Sequence, residues 1–126
     1  MIVETPVSVG ELVDKITILR IKSRRIKDKQ KLININNELN QLITIFSKLE
    51  IPDILFEFVE LEDINRKLWD IEDDIREKER SKQFDEGFIE LARSVYITND
   101  RRSEVKKQIN LKVGSDLVEE KSYEQY

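Results

Sequence analysis

FIELARSVYITNDRRSEVKKQINLKVG, residues 88–114, is the stretch whose reading decides the fold. Phe88, Leu91, Ala92 and Val95 recur at steps of three and four, and Val105, Ile109 and Val113 continue the same stripe. That spacing lines one face of an α-helix. Asp85 stands where an N-cap is needed, with Phe84 and Ile89 placed as a hydrophobic staple, and Gly114 follows as a C-cap residue. A helix over 86–113 is therefore predicted. Its stripe is interrupted by Asn99, slightly off centre, and by Arg102, close to the centre, with Lys106 nearby. Polar groups on a core-facing stripe cost about 1–3 kcal/mol each if left unpaired, and more when charged. They need partners, and Glu11, Asp14, Glu72 and Asp73 are the acids available to supply them.

Working outward, the third helix is predicted over 53–80, opened by Pro52, with Ile54, Leu61, Ile64, Leu68, Ile71 and Ile75 as its apolar stripe. A border of that stripe carries Asn65, Trp69, Glu72, Arg76 and Glu79 at helical spacing. There, a neighbouring helix would half bury an aromatic plate, a carboxylate and a guanidinium. Glu72 and Arg76 are also an ordinary i,i+4 helix pair. The second helix, 29–50, has the 3-4-3-4 repeat Leu32, Ile35, Leu39, Leu42, Phe46 and Leu49, as in a coiled coil. The first, 9–27, opens on a Ser8/Glu11 capping box, with Val7 and Leu12 as staple. Its main stripe is Leu12, Ile16, Leu19 and Ile26, and a second apolar strip, Ile18 and Ile21, implies cover on two sides. The stripes of helices one and two point about half a turn apart, which places a break near Lys27–Lys31 with Asp28 as cap.

The expected fold is all-α: an antiparallel four-helix bundle of two long helical hairpins, forming one domain over 1–126. A short extended lead-in precedes it, and the tail 114–126 is expected to dock through Leu117, Val118 and Tyr123. Composition agrees. Three glycines and two prolines among 126 residues, with 38% charged residues, suit long helices with solvated faces. No apolar run approaches the roughly 20 residues of a membrane span and no signal-peptide pattern opens the chain, so a cytoplasmic address is expected.

Cysteine and histidine are both absent. Disulfides, thiolate nucleophiles, imidazole bases and Cys/His zinc sites are thereby excluded. Chemistry would fall to carboxylates, Lys, Arg, Tyr or hydroxyls, or to a hard cation on oxygen ligands. The acid pairs Asp70/Asp73 and Glu57/Glu60 have the spacing to share a cation, but no matching pair stands on a second helix, and neither metal nor cofactor is expected. Net charge is −4, unevenly placed: seven basic residues against Asp28 in 20–31, and twelve acids against four bases in 50–79. Without interleaved aromatics the basic run does not favour nucleic acid, and the two patches are expected to complement each other.

Four segments, VSVGELVDKITIL (7–19), LWDIEDDIRE (68–77), FIELARSVYITNDRR (88–102) and GSDLVEEKSY (114–123), together resemble a family of small bacterial and phage proteins of uncharacterised function. The resemblance implies no activity. It singles out Glu11 to Lys15, Trp69 to Asp73 and Tyr96 to Asp100, and implies that the tail docks. The candidate binding residues are thus Glu11, Lys15, Asn65, Trp69, Glu72, Arg76, Tyr96, Asn99, Asp100 and Arg102. The expected function is a helical binding module using a polar face on helices one, three and four. Its partner would be a small polar ligand, a partner protein or a second copy seated on Ile18 and Ile21. The alternative is a small metabolic enzyme, isomerase-like or a metal-dependent hydrolase. Glu72 would then act as acid–base group, Lys15 and Arg102 as anion anchors and Trp69 as a wall.

Overall fold

The computed structural model describes residues 1–126 and contains four helices: α1 (Val9–Arg25), α2 (Lys29–Ser47), α3 (Leu55–Arg80) and α4 (Glu86–Val113). No strand forms. Each boundary has a local cause. Ser8 caps α1 by accepting from the Glu11 amide at 3.1 Å, and Asp28 caps α2 through the Lys31 amide at 3.0 Å. Between them Ile26 is extended, so the expected break is real. Asp85 accepts from the Phe88 amide at 3.0 Å, and Gly114 ends α4 in the left-handed region at φ 68°.

Three boundaries differ from expectation, the first being α1, which ends at Arg25 and not at residue 27. α2 ends at Ser47 and α3 starts at Leu55, leaving Pro52 in the linker and not at the helix start. The Asp53 carboxylate takes the Leu55 amide at 2.9 Å, and buried Ile54 anchors the chain in the core, so the helix begins after both. The Phe84 staple also differs: its ring meets Phe88 edge-on at 5.2 Å, while Ile89 stays exposed.

Paired residues give the directions. Gly10 lies on Asn110 and Asp14 on Arg102, so α1 and α4 run antiparallel. Asp14 meets Asn65 and Arg25 meets Asp70, so α1 and α3 run parallel. Glu57–Lys112 and Lys78–Asp85 make α3 and α4 antiparallel. α1 touches all three other helices. Its Leu12, Ile16 and Leu19 pack on Ile35 and Leu39 of α2, while Val13 joins Ile54, Leu61, Ile64, Val105 and Ile109 on the other side. α2 reaches α3 through Phe46 on Phe58, with ring centroids 6.2 Å apart. The expected two-sided burial of α1 is therefore its central position.

The second strip of α1 is not a free surface. Ile21 is 3% exposed and Ile18 half-buried, and both line a cleft with residues of α3 and α4, so they do not form an exposed outer strip. The large exposed apolar side chains include Leu55, Phe56 and Val59. α3 and α4 are longer than α1, about 39 and 42 Å against 26 Å at 1.5 Å per residue, and no residue from 71 to 104 is fully buried. Their far ends form a two-helix arm beyond the core.

The basic and acidic patches do complement each other. Buried Glu62 of α3 holds Arg20 at 2.7 Å and Arg24 at 3.1 Å, and Arg25 pairs with Asp70. The tail docks, but by polar contacts: Glu119 on Lys106 at 3.0 Å, Glu120 on Lys107 at 3.4 Å, and Tyr126 on Asp100 at 2.7 Å. Leu117 and Tyr123, expected to pack inward, remain exposed, while Val118 is half-buried.

α1 and α4 approach closely at Gly10, where a Cβ would sit 2.6 Å from the Lys106 carbonyl oxygen and 2.9 Å from Asn110 Oδ1. Alanine normally stabilises a helix interior by about 1 kcal/mol over glycine. Gly10→Ala is expected to do the reverse, lowering stability by about 1–3 kcal/mol as the helices are forced apart. A denaturant midpoint at or above wild type would contradict this packing.

Candidate functional site

Gly10, Asp14, Thr17 and Ile21 fall on one face of α1, the face turned to α3 and α4. Opposite them on α4 stand Arg102, Lys106 and Asn110, four residues apart, and on α3 stands Asn65. Asp14 is 1% exposed. Its carboxylate accepts from Arg102 Nε at 3.1 Å and Nη2 at 2.7 Å, and from Asn65 Nδ2 at 2.9 Å, with Lys106 Nζ at 3.6 Å. A fork of this kind fixes the guanidinium plane as well as its position. Among the acids available to Arg102, the structure selects Asp14.

Lys106 extends the network. It donates to Glu11 at 2.7 Å and to Glu119 of the tail at 3.0 Å. Burial works against its charge, but the Glu11 bond, the Asp14 charge and the Glu119 bond outweigh it and hold its pKa above the ordinary lysine value. The Lys106 bond likewise holds Glu119 below the usual glutamate range. The start of α1 is closed by tertiary partners too: the Gly10 amide donates to Asn110 Oδ1 at 2.7 Å and the Val9 amide to Ser115 Oγ at 3.4 Å. With Ser8 on Glu11, three first-turn amides are satisfied.

Above this network lies an open cleft of about 460 Å³ between α1, α3 and α4. Ile18, Ile21 and Leu68 supply apolar wall, Trp69 an aromatic plate, and Glu72, Asp73, Arg76, Asn99, Asn65 and Arg102 the polar groups. Six of the ten residues singled out from sequence meet here: Asn65, Trp69, Glu72, Arg76, Asn99 and Arg102.

The polar groups differ in how far they are already used. Thr17 donates its hydroxyl to the Asp14 carbonyl at 2.8 Å, so it can only accept from Asn65 Nδ2 at 2.9 Å. Both Asn65 amide hydrogens are therefore spent on Asp14 and Thr17, which fixes the amide's orientation. Its Oδ1 receives no hydrogen bond, although the residue is only 5% exposed and lines the cleft. Arg102, 29% exposed along its side chain, commits Nε and Nη2 to Asp14 and leaves Nη1 unbound. Asn99 lines the cleft with neither side-chain atom bonded. Glu72 pairs with Arg76 at 3.2 Å on the rim, while Asp73 has no basic partner.

The other four candidates lie elsewhere. Glu11 serves Lys106. Lys15 is exposed and points away from the cleft lining, so it anchors nothing there. Tyr96 and Asp100 hold the tail: the Tyr126 hydroxyl donates to Asp100, which raises its pKa, and its ring meets Tyr96 edge-on at 5.3 Å. Asn99 belongs to both places, lining the main cleft and a second hollow under the tail. The proposed acid pairs are taken up differently: Asp70 by Arg25, Glu57 by Lys112 at 2.8 Å and Glu60 by Arg101. No cluster of three or more metal-ligating side chains is present. Nor is any helix long and apolar enough to cross a membrane.

Thr17, Asn110, Ser115 and Glu119 were not singled out from sequence. For Thr17 the available signal was its helical spacing from Gly10 and Asp14, small and polar residues on one face of α1.

The chain belongs to a family of unknown function, DUF6165, whose model matches residues 1–126. No curated protein and no solved structure matches it.

Two outcomes follow from this network. Asp14→Ala leaves Arg102 and Lys106 without their shared buried acid and is expected to cost about 3–5 kcal/mol in chemical denaturation. Glu72→Gln on the rim should stay within about 0.5 kcal/mol of wild type. The second concerns acid. Glu119 has a depressed pKa, so its contribution is complete above the ordinary glutamate value and is lost as pH falls through the lower, folded value. Lys106, shared with Glu11 and Asp14, stays charged throughout that range. The chemical shift of Lys106 Nζ should therefore report loss of its contact with Glu119 only as pH falls below the ordinary glutamate range.

Proposed function

We propose that this protein is a helical binding module whose site is the cleft between α1, α3 and α4, and that it takes a small polar ligand. The observation that carries the reading is Asn65: a residue only 5% exposed, its amide locked by Asp14 and Thr17, whose carbonyl oxygen accepts no hydrogen bond from the protein and stays open to the cleft it lines. A rigidly held acceptor with no protein donor can take a ligand donor without reordering the side chain. Arg102 supports the same reading, since Asp14 holds one edge of its guanidinium and leaves the other toward the cleft. Trp69 and the apolar wall complete the usual make-up of a ligand pocket, mostly apolar surface with a few placed polar groups.

The enzyme alternative is weaker on this geometry. Glu72, its acid–base group, is exposed and paired with Arg76, and Lys15, one of its anchors, stands outside the cleft. Glu72 and Arg102 do share the cleft, as that alternative required.

Trp69 is the only tryptophan, so selectively excited tryptophan emission reports on this cleft. A chemically diverse set of small polar molecules, screened by Trp69 emission and thermal midpoint, should contain binders. Asn99→Leu should fill part of the cleft and weaken those binders by about tenfold or more, about 1.4 kcal/mol. Because Asn99 has no internal partner, the variant should be as stable as wild type or more so. A screen without any response at Trp69, or binders indifferent to Asn99→Leu, would overturn the assignment.

A further inference from the structure

We propose that the ligand of this cleft is a zwitterion of the α-amino-acid type with an apolar or aromatic side chain; the inference rests on the cleft being a binding site. The cleft carries both signs of charge, and neither is fully neutralised from within. Arg102 offers its unbound Nη1 edge, held in place from behind by Asp14. Asp73 offers a carboxylate with no basic partner, beside Glu72, which pairs with Arg76 at 3.2 Å. A simple anion drawn to Arg102 would sit beside Glu72 and Asp73, and a simple cation drawn to Asp73 would sit beside Arg102 and Arg76. Like charges brought together on the cleft wall disfavour both. A molecule carrying a carboxylate and an ammonium avoids each penalty.

The hydrogen-bonding groups divide the same way. A carboxylate needs donors, and the free edge of Arg102 and the Asn99 amide supply them. An ammonium has three donors and no acceptor capacity. Asn65 Oδ1 is an acceptor without a donor, locked in place because its amide hydrogens are committed to Asp14 and Thr17. Asp73, about two turns further along α3, puts a negative charge on the same cleft wall, which favours an ammonium over a neutral amide hydrogen. The remaining wall, Ile18, Ile21, Leu68 and the Trp69 indole, is suited to an apolar or ring-bearing side chain. The cleft volume of about 460 Å³ lies in the lower part of the range for small-molecule sites, about 300–1,000 Å³.

The test uses the full chain and three probes that differ only in charge: L-phenylalanine, the corresponding amine without its carboxylate (2-phenylethylamine), and the corresponding acid without its amine (3-phenylpropionate), with L-leucine as an aliphatic companion. Binding is read by Trp69 emission and by isothermal titration calorimetry. At least one of the two amino acids should bind at least ten times more tightly than either single-charge analogue. Asp73→Asn, an exposed substitution that leaves the core untouched, should weaken the amino acid severalfold and leave 3-phenylpropionate unchanged or slightly tighter. The zwitterion assignment is overturned if the amine or the acid binds as well as the amino acid, if Asp73→Asn changes nothing, or if neither amino acid binds while another class in the wider screen does. That last result leaves the cleft standing as a binding site. Silence from every class removes the site and its ligand together.

Discussion

Asp14 is a carboxylate at the centre of a helix bundle, and almost everything else in the structure is arranged to keep it there. An isolated charge in that position would be strongly disfavoured. What offsets the cost is a set of partners drawn from different helices: Arg102 and Lys106 of α4, and Asn65 of α3. Hydrogen bonds are directional and short, so each partner fixes a distance and a rotation between two helices. Apolar contacts among Val13, Leu61, Ile64, Val105 and Ile109 fill the space around them but tolerate small slips. The polar set specifies the register that the apolar set stabilises.

The same arrangement leaves a surplus at the surface. Arg102 and Asn65 each commit one side of a planar group to Asp14, which leaves the other side rigid and turned to the cleft. Preorganisation of this kind lowers the entropy lost on binding, because the side chains are already ordered by the fold. The cleft groups used least internally, Asn99 and Asp73, then stand beside groups whose geometry is set from below. Lys106 carries the network out to Glu119, and the Tyr126–Asp100 bond sits one residue from Asn99. The docked tail and the cleft thus share a wall on α4.

The arm formed by the far ends of α3 and α4 has no comparable anchor. From 71 to 98 no residue is fully buried, and apart from Lys78–Asp85 the ion pairs there, such as Arg80–Glu77 and Arg93–Glu90, lie between near neighbours on one helix. Such pairs add little to stability. Trp69 sits where the arm leaves the core, so one wall of the cleft belongs to the rigid part and its rim, Arg76, to the arm.

Local interactions were legible before any tertiary structure. The caps at Ser8, Asp28 and Asp85, the stop at Gly114 and the existence of a break between α1 and α2 all rest on contacts within a few residues, and they followed from sequence. So did the four amphipathic stripes and the suspicion attached to Asn99 and Arg102, since a polar residue on an apolar face is visible at helical period. The helix start at Leu55 was misplaced because a distant burial, that of Ile54, set it. Which acid met Arg102 was beyond reach of the sequence: Asp14 is 88 residues away, and four acids were equivalent until α1 took its place between α3 and α4. The same packing turned Ile18 and Ile21 from a supposed outer surface into a cleft wall, left Lys15 in solvent, and made Gly10 the point where two helices touch. Period and caps determine which face of each helix is apolar; only the meeting of three helices decides which polar groups are spent on one another and which remain for a ligand.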